Sequence, residues 1–128
     1  MIELIVDPFP TGAQLDGLRR RAWGGEVPSY GRELALSLVH VGAMEGDRLV
    51  GFVNVAWDGG QHGFLLDTCV DPDRQRQGLA TRLVKQAADT ARQRGVTWLH
   101  VDFEPHLETF YLQCGFGPAG AGLMRLTP

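Results

Sequence analysis

The stretch Val70-Asp71-Pro72-Asp73-Arg74-Gln75-Arg76-Gln77-Gly78-Leu79-Ala80-Thr81-Arg82-Leu83-Val84 decides the fold. An apolar run (Phe64, Leu65, Leu66, Cys69, Val70) stops at Asp71-Pro72, and proline cannot continue a hydrogen-bonded central strand. A polar, basic loop of residues 73–77 follows. From Gly78 onward Leu79, Ala80, Leu83, Val84, Ala87, Ala88 and Ala91 recur at helical spacing. The order is therefore strand, loop, helix, with no acidic residue between Arg74 and Gln86. At such a helix start the first N–H groups lack intrahelical partners and the dipole adds positive potential. That corner suits a phosphate. Gly78 has no β-carbon and lets a diphosphate approach the backbone, while the small Ala80 keeps the next amide accessible. There is no Gly-Lys-Ser/Thr and no three-glycine spacing, which excludes a Walker loop and a dinucleotide fingerprint. An ordinary strand-to-helix turn with a solvated basic loop would carry the same residues, so the stretch alone leaves both readings open.

Upstream, Ile2 to Val6 reads as a short strand, and Thr11 with Gln14 forms a capping box ahead of a helix bearing Leu15, Leu18, Ala22 and Trp23. Arg19, Arg20 and Arg21 are expected at its solvated end, where cations suit the dipole. Gly24 to Arg32 is a loop that could cover a pocket; Trp23 and Tyr30 could line that pocket, with a rim or core role for them equally open, and Glu33 to Leu36 is a helical turn. Ser37 to Met44 and Arg48 to Trp57 read as a hairpin about Glu45-Gly46-Asp47. The second of these strands is apolar nearly throughout, so it should be covered on both faces. Asp58-Gly59-Gly60 turns the chain into the strand ending at Val70.

Downstream, the helix should run to Arg94 and stop at Gly95, a left-handed cap. Val96 to Phe103 alternates at strand period, which makes a strand–helix–strand unit whose two strands are parallel. Pro105 opens a short helix with Leu107, Phe110, Tyr111 and Cys114, ending at Gly115. Ala121 to Leu126 is expected as a last short strand. No repeat or second domain appears, so residues 1–128 are read as one domain.

Composition narrows the class. A net charge of -3 argues against a general nucleic-acid binder. The apolar runs are too short for a membrane helix, and the N-terminus has no basic region of a signal peptide. Cys69 and Cys114 lack metal or redox spacing and read as reduced, buried small hydrophobes. These points lead us to expect a cytoplasmic protein with no metal.

The pattern Gln75-Arg76-Gln77-Gly78-Leu79-Ala80, of the form Q/R-x-x-G-x-G/A, resembles the acyl-CoA pyrophosphate loop of the GNAT acyltransferase superfamily. Phe110-Tyr111-Leu112-Gln113-Cys114-Gly115-Phe116 is similar to that family's second signature, a tyrosine followed four residues on by Gly-Phe. The order of elements matches over nearly the whole chain. The resemblance implies an α+β, three-layer fold: a mixed, mostly antiparallel sheet with one parallel strand pair at the CoA site and helices on both faces. It implies an enzyme that transfers an acetyl group from acetyl-CoA to a primary amine by direct attack, and a homodimer is plausible by the same resemblance. A non-catalytic acyl-CoA sensor or interaction module on the same fold is the alternative.

By the same resemblance Cys69, Val70, Gln75, Arg76, Gln77, Gly78, Leu79, Ala80 and Thr81 are expected to hold the cofactor, with a backbone N–H near Cys69-Val70 facing the thioester oxygen. Glu104 stands seven residues before the tyrosine, where relatives often carry an asparagine that helps hold the pantetheine arm. Tyr111 stands where relatives carry the acid that protonates the departing thiolate. For an amine of pKa ~10.4, being neutral at pH 7 costs about 4.6 kcal/mol, so a base is wanted. Asp67, an acid inside an otherwise apolar strand, is the first candidate, because an uncompensated carboxylate there is costly. A hydrogen-bonded structural carboxylate is the other reading. Glu104, Asp102 and His100 come next, and His40, His62 and His106 are expected to be structural or surface residues.

Overall fold

Five strands, β1 (Ile2–Val6), β2 (Ser37–Glu45), β3 (Arg48–Trp57), β4 (His62–Val70) and β5 (Trp98–His100), lie side by side in chain order in the computed structural model, which describes residues 1–128. Successive pairs are antiparallel except the last: β4 and β5 run parallel. The connection between them carries α2 (Leu79–Gln93). Helix α1 (Gly12–Trp23) precedes β2, and the short α3 (Glu108–Gln113) follows β5.

The central position of β3 explains its composition. Adjacent residues of a strand point to opposite faces, and Phe52 and Val53 go to separate cores. Val53 joins Val39, Val41 and Val55 beneath Leu83, Val84 and Ala87 of α2. Phe52 joins Leu15 and Leu18 of α1 on the other side, with Tyr30, Leu49 and Cys69. Thr11 caps α1 as its sequence requires: its Oγ1 accepts from the Gln14 N–H at 3.1 Å, and Gln14 Oε1 accepts from the Thr11 N–H at 2.8 Å.

Three expectations change. The strand expected over 96–103 is paired only from Trp98 to His100. Its alternation is satisfied beyond that point by packing: Val101 rests against the α2-side core, and Phe103 stacks on Tyr111 of α3. Residues 121–126 form no strand at all. Gly120 and Gly122 weaken strand propensity, a three-residue β5 offers little template, and Leu123, Met124 and Leu126 stand exposed. Arg19, expected in solvent, is buried and its Nη1 donates to Pro28 O at 2.8 Å.

Phe52 is fully buried between α1 and the sheet. Phe52→Ala is expected to cost about 3–5 kcal/mol of stability, read as a fall in the urea midpoint with the slope unchanged.

Candidate active site

β4 keeps β5 beside it only at its start. The last parallel pair is Phe64 with His100, so the outer edge of β4 from Leu66 to Val70 has no strand alongside. A cleft of about 620 Å³ opens there. It is lined by the end of β4 (Thr68, Cys69, Val70), by the loop and start of α2 (Arg74, Gln75, Arg76, Gly78, Leu79, Ala80, Thr81), by Ala22 and Trp23 of α1, and by His106, Leu107, Phe110 and Tyr111. The two sequence signatures thus meet in one cleft. A separate groove of about 560 Å³ runs between β1 and α2 and contains neither.

The loop side is built from bare amides. The backbone N–H groups from Gln75 through Thr81 donate to no protein acceptor; the first one used again is that of Arg82, which reaches Gly78 O at 3.1 Å. Gly78 caps α2 in a left-handed conformation (φ +77°), and a β-carbon placed there would meet nothing within 4 Å. Unsatisfied donors facing open space at a helix start are what a diphosphate needs, so these residues fit CoA. Arg76 (φ +64°) makes no ion pair, whereas Arg74 is held by Glu45, with Nη2 to Oε1 at 2.6 Å. The positive charge left for a ligand is therefore that of Arg76. Gln75 Nε2 donates to Val70 O at 3.1 Å, tying the loop to the strand end.

Asp71 anchors this corner from below. It is 1% exposed. Its Oδ2 accepts from Arg21 Nε and Arg48 Nη2, both at 2.8 Å, and its Oδ1 accepts from the Asp73 N–H at 3.0 Å. Burial alone would raise its pKa, but these donors outweigh it and hold the carboxyl at about 2.

Tyr111 closes the opposite wall. Its ring stacks on Phe103 at 5.1 Å and meets the edges of Phe110 and Phe116 at 4.9 and 5.8 Å. The spacing of this signature has a local cause. Gly115 takes φ +107°, which turns the chain back so that the Phe116 N–H donates to Tyr111 O at 3.1 Å and the Phe116 ring returns to the tyrosine. Burial raises the phenol's pKa; the neighbouring Thr68 hydroxyl opposes this, and Cys114 and Asp102 add to the rise. The group stays a proton donor at neutral pH.

Asp67 lies on the other side of the strand. β3 residues Phe52 and Asn54 pair with Cys69 and Leu66, so Val53 faces two residues of β4, Asp67 and Thr68. This is a bulge, which re-aims a side chain, and Asp67 takes φ +61° in it. Burial raises the Asp67 pKa, the Tyr30 hydroxyl and Arg19 lower it, and Glu33 raises it.

Of the residues expected to touch the cofactor, Gln77 and Glu104 do not line the cleft, and neither does Asp67. Glu104 is exposed, 3.6 Å from the ring of His106. Of the two roles left open for Trp23 and Tyr30, Trp23 takes the lining of the cleft and Tyr30 the core, buried against Phe52. His106, an exposed residue in keeping with the surface role expected for it, and Thr68 also belong to the lining. A small hydroxyl residue beside Asp67 in an apolar strand was the signal for Thr68; nothing in the sequence marked His106. His100 pairs with His62, Nε2 to Nδ1 at 2.8 Å, away from the cleft. No group of three or more metal-ligating side chains is present, and no helix is long and apolar enough to cross a membrane.

The Acetyltransferase (GNAT) family model matches residues 1–116. A probable glucosamine 6-phosphate N-acetyltransferase of Oryza sativa subsp. japonica is 32% identical over 62 residues, 48% of this chain and 37% of that protein. The match thus spans little more than a third of the relative's length. Among solved structures, a probable acetyltransferase of meticillin-resistant Staphylococcus aureus superposes with a TM-score of 0.83 over 100% of both chains at 23% identity. An aminoglycoside N-acetyltransferase solved in complex with CoA gives 0.72 at 16% identity, over 99% of this chain and 95% of that one. At such identities the likeness is one of fold.

The buried Asp71 gives a pH signature. Its carboxyl has an ordinary value of 3.8 and sits at about 2 in the folded protein, which at about 1.36 kcal/mol per pKa unit is roughly 2 kcal/mol. That stabilisation is whole above pH 3.8 and is lost as pH falls through about 2. Asp71→Asn is expected to be less stable than wild type at pH 7 by that amount, with the gap closing in acid, as read by urea denaturation across pH.

Proposed function

The chain belongs to the GNAT acetyltransferase family, and on that premise we propose that it transfers an acetyl group from acetyl-CoA to a primary amine by direct attack, both being bound together. The observation that carries the proposal is the meeting of free amides, an unpaired strand edge and a buried tyrosine in one cleft. Acetyl-CoA, when bound, supplies an activated thioester. The amides of residues 75–81 and the Arg76 guanidinium would take its diphosphate, and the open edge of β4 offers strand-like hydrogen-bonding groups to its arm. We assign the donor facing the thioester oxygen to the Cys69-Val70 backbone; one such donor is typically worth ~2.7–4 kcal/mol. Tyr111 is assigned as the acid that protonates the leaving thiol, and Asp67 as the base that receives the acceptor's proton.

Direct attack is favoured over an acyl-cysteine because of Cys69. Burial and the neighbouring Asp67 push its thiol up to about 12, so it rests protonated at neutral pH and is a poor nucleophile. The acceptor is a primary amine; the glucosamine 6-phosphate and aminoglycoside acetyltransferases among its relatives supply the first two classes for a panel. Two free cysteines suit a reducing compartment, and we place the single-domain enzyme in the cytoplasm. A homodimer would cover the exposed Leu123, Met124 and Leu126.

The test is release of free CoA thiol from acetyl-CoA across an amine panel. Thermal stabilisation by CoA without turnover on any amine would point instead to an acyl-CoA sensor on the same fold. Gly78→Glu is expected to abolish CoA binding in titration calorimetry, since it places bulk and like charge in the open space before the amides; normal binding would remove the loop assignment. Tyr111→Phe should lower kcat by about 10²-fold while CoA affinity stays near wild type.

A further inference from the structure

We propose that His62 and His100 form a surface site for a divalent transition-metal ion that takes nitrogen ligands at right angles, the class of copper(II) and nickel(II). The site is independent of acetyl transfer, and no step of that reaction runs through it. The two histidines are 38 residues apart in the chain, so no ligand spacing announces them. Parallel pairing brings them together. His62 stands opposite Trp98 and Phe64 opposite His100, which sets the two imidazoles diagonally across the β4–β5 ladder. Nδ1 of His62 lies 2.8 Å from Nε2 of His100, with the ring centroids 5.1 Å apart.

Both residues are held in place by their surroundings. The His100 ring stacks on Phe64, centroids 4.9 Å apart and planes at 22°. The His62 backbone N–H donates to Asp58 Oδ1 at 3.2 Å, and the same oxygen accepts from the Gly60 N–H at 2.7 Å. These N–H groups lower the Asp58 pKa, so a negative charge stands at the turn that leads into His62. β4 and β5 carry no lysine or arginine. Successive side chains of a strand alternate between faces, so His62, Phe64 and Leu66 share one, and Phe64, Leu66 and Trp98 are exposed. An apolar bed, a carboxylate close by and no competing cation favour a metal ion that must exchange water for nitrogen.

The spacing of the nitrogens selects the kind of ion. A neutral imidazole carries one N–H, so the hydrogen-bonded pair holds one proton between the facing nitrogens and one on an outer nitrogen. When the inner proton moves to the outer nitrogen of its own ring, both facing lone pairs are free, and a metal ion enters with no net proton released. With metal–nitrogen bonds of about 2.0–2.1 Å, two ligands at a right angle stand about 2.9 Å apart, and two at the tetrahedral angle about 3.3 Å. The observed 2.8 Å matches the right angle, which square-planar and octahedral ions adopt and tetrahedral zinc does not. Both rings reach solvent, so water fills the remaining positions. An ion held there ties β5 to β4 where three residue pairs join them, and binding to the folded state alone stabilises it.

The experiment is titration of the full chain with nickel(II) chloride, followed by calorimetry and by thermal unfolding, with electron paramagnetic resonance of the copper(II)-loaded protein. One ion per chain is expected to bind and to raise Tm, and the copper spectrum should show coupling to two imidazole nitrogens. His62→Gln and His100→Gln should each weaken nickel binding at least about tenfold and remove the rise in Tm, with metal-free circular dichroism as in wild type. Zinc(II) should bind more weakly than nickel(II). The copper spectrum of the wild type decides the ligand pair without any variant. No nickel binding, undiminished binding in both variants, a copper spectrum with a single imidazole, or zinc bound more tightly than nickel would each overturn the site.

Discussion

A sheet strand that loses its neighbour halfway along is the constraint on which the rest of this protein depends. β4 is paired with β5 for three residues and then stands alone on that side, with its other edge still locked to β3. An open edge is a hazard in most proteins, because its N–H and C=O groups invite any extended chain. Here the hazard is confined. α3 and its preceding turn, with Leu107, Phe110 and Tyr111, form the far wall, so the edge faces a cleft and not bulk solvent. What can reach it is long, narrow and able to lie as a strand does.

Keeping that gap open requires the end of β4 to be held by something other than β5. Asp71 does this. It gathers guanidinium groups from α1 and β3, Arg21 and Arg48, at one buried oxygen, and Arg21 reaches on to Leu49 O. Removing one partner of a buried charged cluster leaves the others uncompensated, so helix, strand and loop are fixed together. Glu45 takes Arg74 out of the loop's free charge and fixes it at the end of β2. The amides of 75–81 are thus presented by a frame whose own polar groups are satisfied. A loop that had to order itself around a ligand would give up affinity to do so.

Much of this was legible in the sequence because it is local. Pro72 ending a strand, Gly78 and Gly95 bounding a helix, Thr11 with Gln14, and the return of Phe116 over Gly115 are all choices made within a few residues. What could not be read is what the chain does between distant segments. The alternation of 96–103 is real, but Phe103 spends it on Tyr111 and not on a ladder. Residues 121–126 have strand-like spacing, but β5, the preceding strand, is paired over only three residues and takes no further partner. Arg19 and Arg21 lie in one basic run, yet one is buried under a loop and the other, still exposed, reaches in to the buried Asp71. The bulge at Asp67-Thr68 has no turn residue to announce it. A carboxylate in an apolar strand hinted at a special position, but its left-handed backbone is imposed by pairing with β3.

That bulge decides how the proposed reaction handles its protons. Acetyl transfer to an ammonium sheds two protons from nitrogen, returns one to the leaving sulfur and releases one to solvent. A single group set between amine and thioester would have to lose a proton and gain one within the same step. On the roles proposed above, consecutive residues of one strand would divide the work: the bulge keeps Asp67 out of the cleft lining, while Thr68 and Tyr111 both line it. Burial raises the pKa of both Asp67 and Tyr111, which makes the carboxylate a better acceptor and keeps the phenol a donor. On the proposed roles the same desolvation would serve two opposite tasks, one on a residue in the bulge of β4 and the other on a residue of α3.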